Sequence, residues 1–140
     1  MTELTVDRII QNFEILGDWE ERYRYVIDLG RKLPELDEKY KTEGNRVKGC
    51  VSNVWLITRV VEDDPDILEF EADSDAHIVR GLVAILLSAY SGKKANEILA
   101  VDIRDIFQQL DLEKHLSPSR SNGFFSMVER IQRLAKAAAG

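Results

Sequence analysis

One segment dictates most of what this chain can become. Between Ile78 and Ala89, apolar residues fall at Ile78, Val79, Leu82, Val83, Ile85, Leu86 and Ala89, nearly all round a helical wheel. A helix of that kind has no face to give to water, so other elements must enclose it. Its densest run, Leu82 to Leu87, is far shorter than the roughly 20 apolar residues that cross a bilayer. The spacing therefore predicts a central, buried helix that Gly92 ends.

The enclosing elements are sought on both sides. Thr5 is positioned as an N-cap ahead of Val6, Ile9, Ile10, Phe13 and Leu16, with Gly17 as the stop. Asp18 caps a second helix with Glu20 and Glu21 in its first turn. Trp19, Tyr23, Val26, Ile27 and Leu33 form its apolar face, and Pro34 ends it. Glu35 to Glu43 shows no period and reads as a loop, with room for one helical turn. Asn45-Arg46-Val47-Lys48 reads as a short strand broken at Gly49-Cys50. Val51 to Val61 is rich in Val, Trp, Leu, Ile and Thr and reads as a second strand. Glu62 to Asp66 is a turn, and Ile67 to Ala72 alternates as the next strand, which gives an antiparallel meander. Asp73-Ser74-Asp75 reads as the cap of the central helix.

Beyond Gly92, Lys94 to Leu99 and Ile103 to Leu110 read as two short helices. Ser117-Pro118-Ser119 is a loop, and a last helix runs on Phe124, Val128, Ile131 and Leu134. Strands in the middle and helices on both sides make the class α+β. No repeat or linker divides the chain, so residues 1–140 are expected to form a single domain, large enough to bury a core without staples.

Charge and cysteine count narrow the function. There are 19 Lys and Arg against 25 Asp and Glu, a net charge of −6, and this argues against nucleic acid as the main partner. The single cysteine, Cys50, excludes an intramolecular disulfide and a zinc site built on several thiolates. Met1 to Asp7 lacks a basic stretch followed by an apolar one, so no targeting segment or membrane partner is expected. A reduced thiol in an unstapled domain fits the cytoplasm.

Cys50 stands at a glycine-punctuated junction between two extended segments, in Gly44-Asn45-Arg46-Val47-Lys48-Gly49-Cys50-Val51-Ser52-Asn53-Val54-Trp55. A thiol on such a tip can enter another protein's active site, and Arg46 and Lys48 stand close enough in sequence to favour the nucleophilic thiolate. The competing reading is a buried cysteine acting as a small hydrophobe. A stand-alone cysteine enzyme would need a base, with His77 or His115 as the candidates. No ligand spacing recommends a metal on Cys50 and the two histidines. Besides its cap reading, Asp73-Ser74-Asp75 is a candidate docking rim near Cys50. In Ser117-Pro118-Ser119-Arg120-Ser121-Asn122-Gly123, Arg120 is a candidate anchor for a partner or a carboxylate. Trp19 and Trp55 read as core aromatics rather than a ligand platform.

Five blocks taken together resemble the SufE/CsdE family of sulfur-acceptor proteins in iron–sulfur cluster biogenesis. They are Trp19-Glu20-Glu21-Arg22-Tyr23, Leu33-Pro34-Glu35-Leu36, Val47 to Trp55, Asp73-Ser74-Asp75-Ala76-His77-Ile78-Val79-Arg80-Gly81-Leu82 and Leu116 to Gly123. They occur in family order and cover nearly the whole chain. The resemblance implies a three-stranded antiparallel sheet with helices packed against it, similar to the IscU scaffold.

It also implies that Cys50 accepts persulfide sulfur from a cysteine desulfurase of the SufS/CsdA type. The chain would stimulate that enzyme and pass the sulfur to a cluster-assembly scaffold. This is the role of an accessory carrier rather than a free-standing enzyme. A scaffold holds iron on several thiolates, so one cysteine fits a carrier. Pyridoxal phosphate is expected in the partner desulfurase, with no cofactor bound by this chain. By matching position, Gly49 would give turn freedom beside Cys50, while Ser52, Asp75 and Arg120 are contact or loop-positioning candidates. His77 falls in a variable slot of the family pattern. Glu62 to Asp66 and Lys39 to Glu43 are the least family-like stretches. The resemblance leaves room for a weak homodimer. Cys50 is expected to pack against apolar residues in the free protein and turn outward on docking.

Overall fold

The structure, a computed structural model, describes residues 5–50 and 52–139, with the backbone alone at Val60. Helices α1 (Val6–Ile15) and α2 (Trp19–Lys32) start where their caps require. Thr5 Oγ1 accepts from the Arg8 N–H at 3.2 Å, and Asp18 Oδ1 from the Glu21 N–H at 2.9 Å. Each satisfies one of the donors a helix start leaves open.

Next comes the hairpin of β1 (Val54–Val61) and β2 (Asp64–Ser74), joined by a turn at Glu62-Asp63. The strands are antiparallel, with Trp55 opposite Asp73 and Thr58 opposite Phe70. An irregularity between Val60 and Val61 admits the tight turn. Leu68, Phe70 and Ala72 alternate into the core from β2, while Glu69 stays exposed.

The central helix forms as its composition demands: α3 (His77–Tyr90) buries Ile78, Val79, Leu82, Val83, Ile85, Leu86 and Ala89. It packs against α2, the sheet and the last helix. The α2–α3 crossing is close because two glycines meet there. A Cβ on Gly81 would stand 2.1 Å from the Val26 carbonyl oxygen, and one on Gly30 would stand 2.7 Å from the Gly81 nitrogen. Neither glycine stands out in the sequence.

After α3, Gly92 adopts a positive φ of 77° and turns the chain back onto β2, where its N–H bonds the Leu68 carbonyl at 2.8 Å. The short β3 (Lys93–Lys94) then pairs with Ile67 and Leu68, so the sheet order is β1-β2-β3. Next come α4 (Ala95–Leu99), α5 (Ile103–Gln109), α6 (Leu112–His115) and the long α7 (Pro118–Ala139). Asp102 caps α5 through the Asp105 N–H, and Ser117 Oγ accepts from the Arg120 N–H at the start of α7. Among the described residues, no helix is long and apolar enough to cross a membrane.

The α+β class and the three-stranded antiparallel sheet stand as expected, but the third strand does not. Asn45 to Lys48 is no strand: Glu43–Asn45 is a 3-10 turn, and only Arg46 makes an isolated bridge, to Trp55. The extended stretch between that turn and the bend at Lys48-Gly49 is too short to form a ladder. The third strand is instead Lys93–Lys94, at the edge of what reads as a helix start. The second expected strand begins at Val54, because Ser52 lies in a bend and Asn53 is irregular, and Val51 falls outside the described residues. Nor do Asp73 and Ser74 cap α3. They finish β2, the capping position is Ala76, and no side chain bonds the first turn there. His115 is the last-turn residue of α6, as its place before the Leu116-Ser117-Pro118 loop allows, and α6 is entered through Asp111 in the left-handed region at φ 58°.

Candidate functional site

Cys50 leaves its glycine-marked bend against α7. Gly49 has a φ of 92°, a conformation that glycine adopts without the steric penalty of a side chain. A Cβ at Gly49 would also meet Ser126 Oγ at 2.4 Å. One helical turn away, Cys50 rests on Gly123. The thiol donates to the Gly123 carbonyl at 3.5 Å, and a Cβ on Gly123 would lie 3.4 Å from Sγ. Residues i and i+3 share one helix face, so Gly123 and Ser126 together receive the Gly49-Cys50 bend.

The thiol borders a pocket of about 370 Å³. Val79 and Leu82 of α3 and Phe124 and Met127 of α7 give it apolar walls; Ser52, Ser117, Ser119 and Arg120 supply its polar lining. Phe124 is fully buried and its ring packs 5.1 Å from that of Phe107, which fixes the floor. Half-burial pushes the Cys50 thiol above its ordinary range, and the positive charge of Arg46 acts in the opposite direction. Burial prevails, so the resting group is the protonated thiol.

The loop beyond Cys50 is tied down at Asn53. Its N–H and side-chain amide donate to Asp75 at 3.2 and 2.9 Å. Its carbonyl accepts from Ser74 Oγ at 2.8 Å and from the Asp75 N–H at 3.3 Å. Asp75 is thus a clamp on the Cys50 loop and does not line the pocket. Ser52 and Arg120 do line it, and Gly49 forms the bend.

Other expectations change. Lys48 and Arg46 both clasp Glu43, at 2.8 and 3.0 Å, and together hold that carboxyl below the usual carboxylate range. Of the two cations, only Arg46 acts on the thiol. Neither histidine lines the pocket: His77 is exposed at the start of α3, and His115 stacks on Trp19 with ring centroids 4.2 Å apart. Trp19, half-buried, does pack against the core, edge-on to Phe13, whereas Trp55 is half-buried with Lys41 over its ring. Among the described residues, no group of three or more His, Cys, Asp or Glu is placed to hold a metal.

Val79, Leu82, Phe124 and Met127 went unassigned as wall residues because their spacing is that of ordinary core. Gly123 gives no more signal than Gly30 or Gly81, since it reads as the boundary between the Ser117-Pro118-Ser119 loop and the last helix.

The SufE family, described as an Fe-S metabolism associated domain, matches residues 7–135. The chain belongs to the SufE family. That membership associates it with iron–sulfur metabolism. An uncharacterized SufE-like protein of Rhizobium etli is 55% identical over 136 residues, 96% of this chain and 92% of that protein. A second uncharacterized SufE-like protein, from Rhizobium meliloti, is 52% identical over 133 residues, covering 94% and 95% of the two chains. The solution structure of a hypothetical protein from Thermus thermophilus superposes with a TM-score of 0.77 over 99% of this chain and 98% of its own. At 18% identity, that likeness concerns the fold alone.

Proposed function

We propose that this SufE-family chain accepts persulfide sulfur on Cys50 from a cysteine desulfurase, stimulates that enzyme, and delivers the sulfur to an iron–sulfur cluster assembly scaffold. The observation that carries this reading is the seat of Cys50: a single thiol on a glycine bend, bordering a partly apolar pocket, with no histidine in its walls. A carrier needs a nucleophile and a shelter; it does not need its own base.

In the proposed step, the Cys50 thiolate attacks the terminal sulfur of the donor's persulfide. A new S–S bond forms on Cys50, the donor's S–S bond breaks, and the donor cysteine leaves as a thiolate that takes up the proton Cys50 gave away. One sulfane sulfur moves and no external oxidant or reductant is consumed. The pyridoxal phosphate that generates the persulfide belongs to the donor enzyme. Because Cys50 is half-buried against α7, with burial raising its pKa, docking has to bring the thiol outward to reach a donor persulfide, with the bend at Gly49 as the hinge. Ser52 and Arg120, in the polar lining of the pocket, are the proposed partner-contact residues, with Asp75 positioning the loop.

Mass spectrometry after incubation with a cysteine desulfurase and cysteine tests the proposal. A gain of about 32 Da, one sulfur atom, is expected on the Cys50 peptide and not in Cys50→Ser. A desulfurase that carries its own persulfide yet leaves Cys50 unmodified would overturn it.

A further inference from the structure

Gly123 poses a question that the resting thiol does not answer. It lies in the sixth position of a 22-residue helix, where glycine costs up to about 1 kcal/mol relative to alanine. The thiol does not require that sacrifice. A Cβ at 123 would stand 3.4 Å from Sγ, 3.8 Å from the Cys50 Cβ and 3.9 Å from its Cα, all ordinary packing distances. An alanine would fit against Cys50–SH without moving it. A methyl there would, however, occupy the space directly beside Sγ, which bonds the Gly123 carbonyl at the border of the pocket.

We infer that the missing side chain of Gly123 is the space reserved for the second sulfur of Cys50–S–SH, so that Gly123 is a positioning residue for the loaded state. The inference rests on the carrier reading above and deepens it. A sulfur bonded to Sγ stands about 2.05 Å beyond it. To remain sheltered it has to lie inside the pocket, against the wall that Sγ already touches. Without a Cβ at 123, that wall is helix backbone, and the neighbouring Phe124 and Met127 complete a lining that keeps competing thiols from the sulfane sulfur. With a Cβ present, the thiol still packs but the persulfide is pushed toward the open, polar lining at Ser119 and Arg120.

The experiment loads the whole protein without any desulfurase, so that its outcome is separate from that of the carrier reading. Inorganic polysulfide serves as the sulfur donor: the Cys50 thiolate attacks a sulfane sulfur, one S–S bond forms, one breaks, and the polysulfide leaves shorter by one sulfur. The lifetime of the loaded species against a small thiol is followed by mass spectrometry in the native protein and in Gly123→Ala. In parallel, iodoacetamide labels the unloaded thiol in both. The expected result is an unchanged labelling rate with a several-fold shorter persulfide lifetime in Gly123→Ala. Equal persulfide lifetimes would overturn the inference. So would a labelling rate that rises in proportion to the loss of lifetime, because the glycine would then serve the thiol itself. Loss of fold in the variant, read from its thermal midpoint, would also count against it, since the packing distances above predict that alanine is accommodated.

Discussion

Asp73 and Arg80 face each other across the corner between β2 and α3, and each is committed to more than the other. Arg80 donates to the Asp73 carboxylate, to the Leu33 carbonyl at 2.7 Å and to the Gly30 carbonyl at 3.2 Å. Asp73, only 3% exposed, also accepts from the Leu36 N–H at 3.2 Å and lies 3.5 Å from the Lys41 ammonium. One guanidinium thus fastens the end of α2 to the end of β2. Breaking a buried pair leaves an uncompensated charge, so Arg80→Met is expected to cost roughly 3 kcal/mol in urea unfolding, with Lys41 limiting the loss. Adding Asp73→Asn to that variant should recover part of it. A single variant that loses less than about 1 kcal/mol would reduce the pair to a surface-like contact.

The clamp just beyond that corner bears on the thiol. Asp75 accepts both Asn53 donors, and Asn53 follows Cys50 by three residues. In Asp75→Ala those two bonds go, while the Ser74 hydroxyl still holds the Asn53 carbonyl. Exposed hydrogen bonds of this kind contribute about 1 kcal/mol or less. Global stability should therefore change little, while iodoacetamide labelling of Cys50 becomes several-fold faster as the loop opens. Unchanged labelling would mean that the seat on α7 alone holds the thiol.

Elements with long periods were readable in the sequence, and pairings between distant residues were not. Ile78 to Ala89 declares a buried helix by composition, and Thr5 and Asp18 cap because a cap is local chemistry. Lys93-Lys94 carries no alternation; it is a strand only because Gly92 delivers it to β2. Asp73 has the residue type of a cap, but Arg80 and the Leu36 N–H claim its carboxylate and tertiary pairing overrides local preference. The site divides in the same way. Gly49-Cys50 announces itself by punctuation, whereas Val79, Leu82 and Met127 look like any other core residues until α3 and α7 are placed side by side.

The titration of Cys50 gives a sign that can be checked. Burial raises its pKa above the 9.0 of an unperturbed thiol, and Arg46 offsets part of that rise. Folding therefore favours the protonated thiol. Its contribution to stability is complete below the unfolded pKa and is lost as pH rises through the higher folded value. The rate of alkylation plotted against pH should have its midpoint above 9.0 in the native protein, higher still in Arg46→Gln, and unmoved in Lys48→Gln. An Arg46→Gln profile that coincides with that of the native protein would show that the guanidinium exerts no field at the sulfur.

Tyr90 predicts a stabilising loss. Its side chain is fully buried, and its hydroxyl has no hydrogen-bond partner among the described residues. Burial pushes its pKa from 10.0 up to about 12. The raised value means that stability is complete below pH 10 and declines between there and about pH 12, by a total of about 3 kcal/mol for this one group. Tyr90→Phe removes a buried hydroxyl that has no partner among the described residues while keeping the ring that fills the core. At neutral pH the variant should equal the parent or exceed it by up to about 1 kcal/mol. At about pH 11 its advantage should widen, because the ionisation that unfolds the parent is gone. Urea midpoints at the two pH values, taken in a Cys50→Ser background so that the thiol does not titrate, separate the effects. A variant that loses about 1 kcal/mol at neutral pH would show that the hydroxyl has a bound water for a partner, and the alkaline difference would then shrink with it.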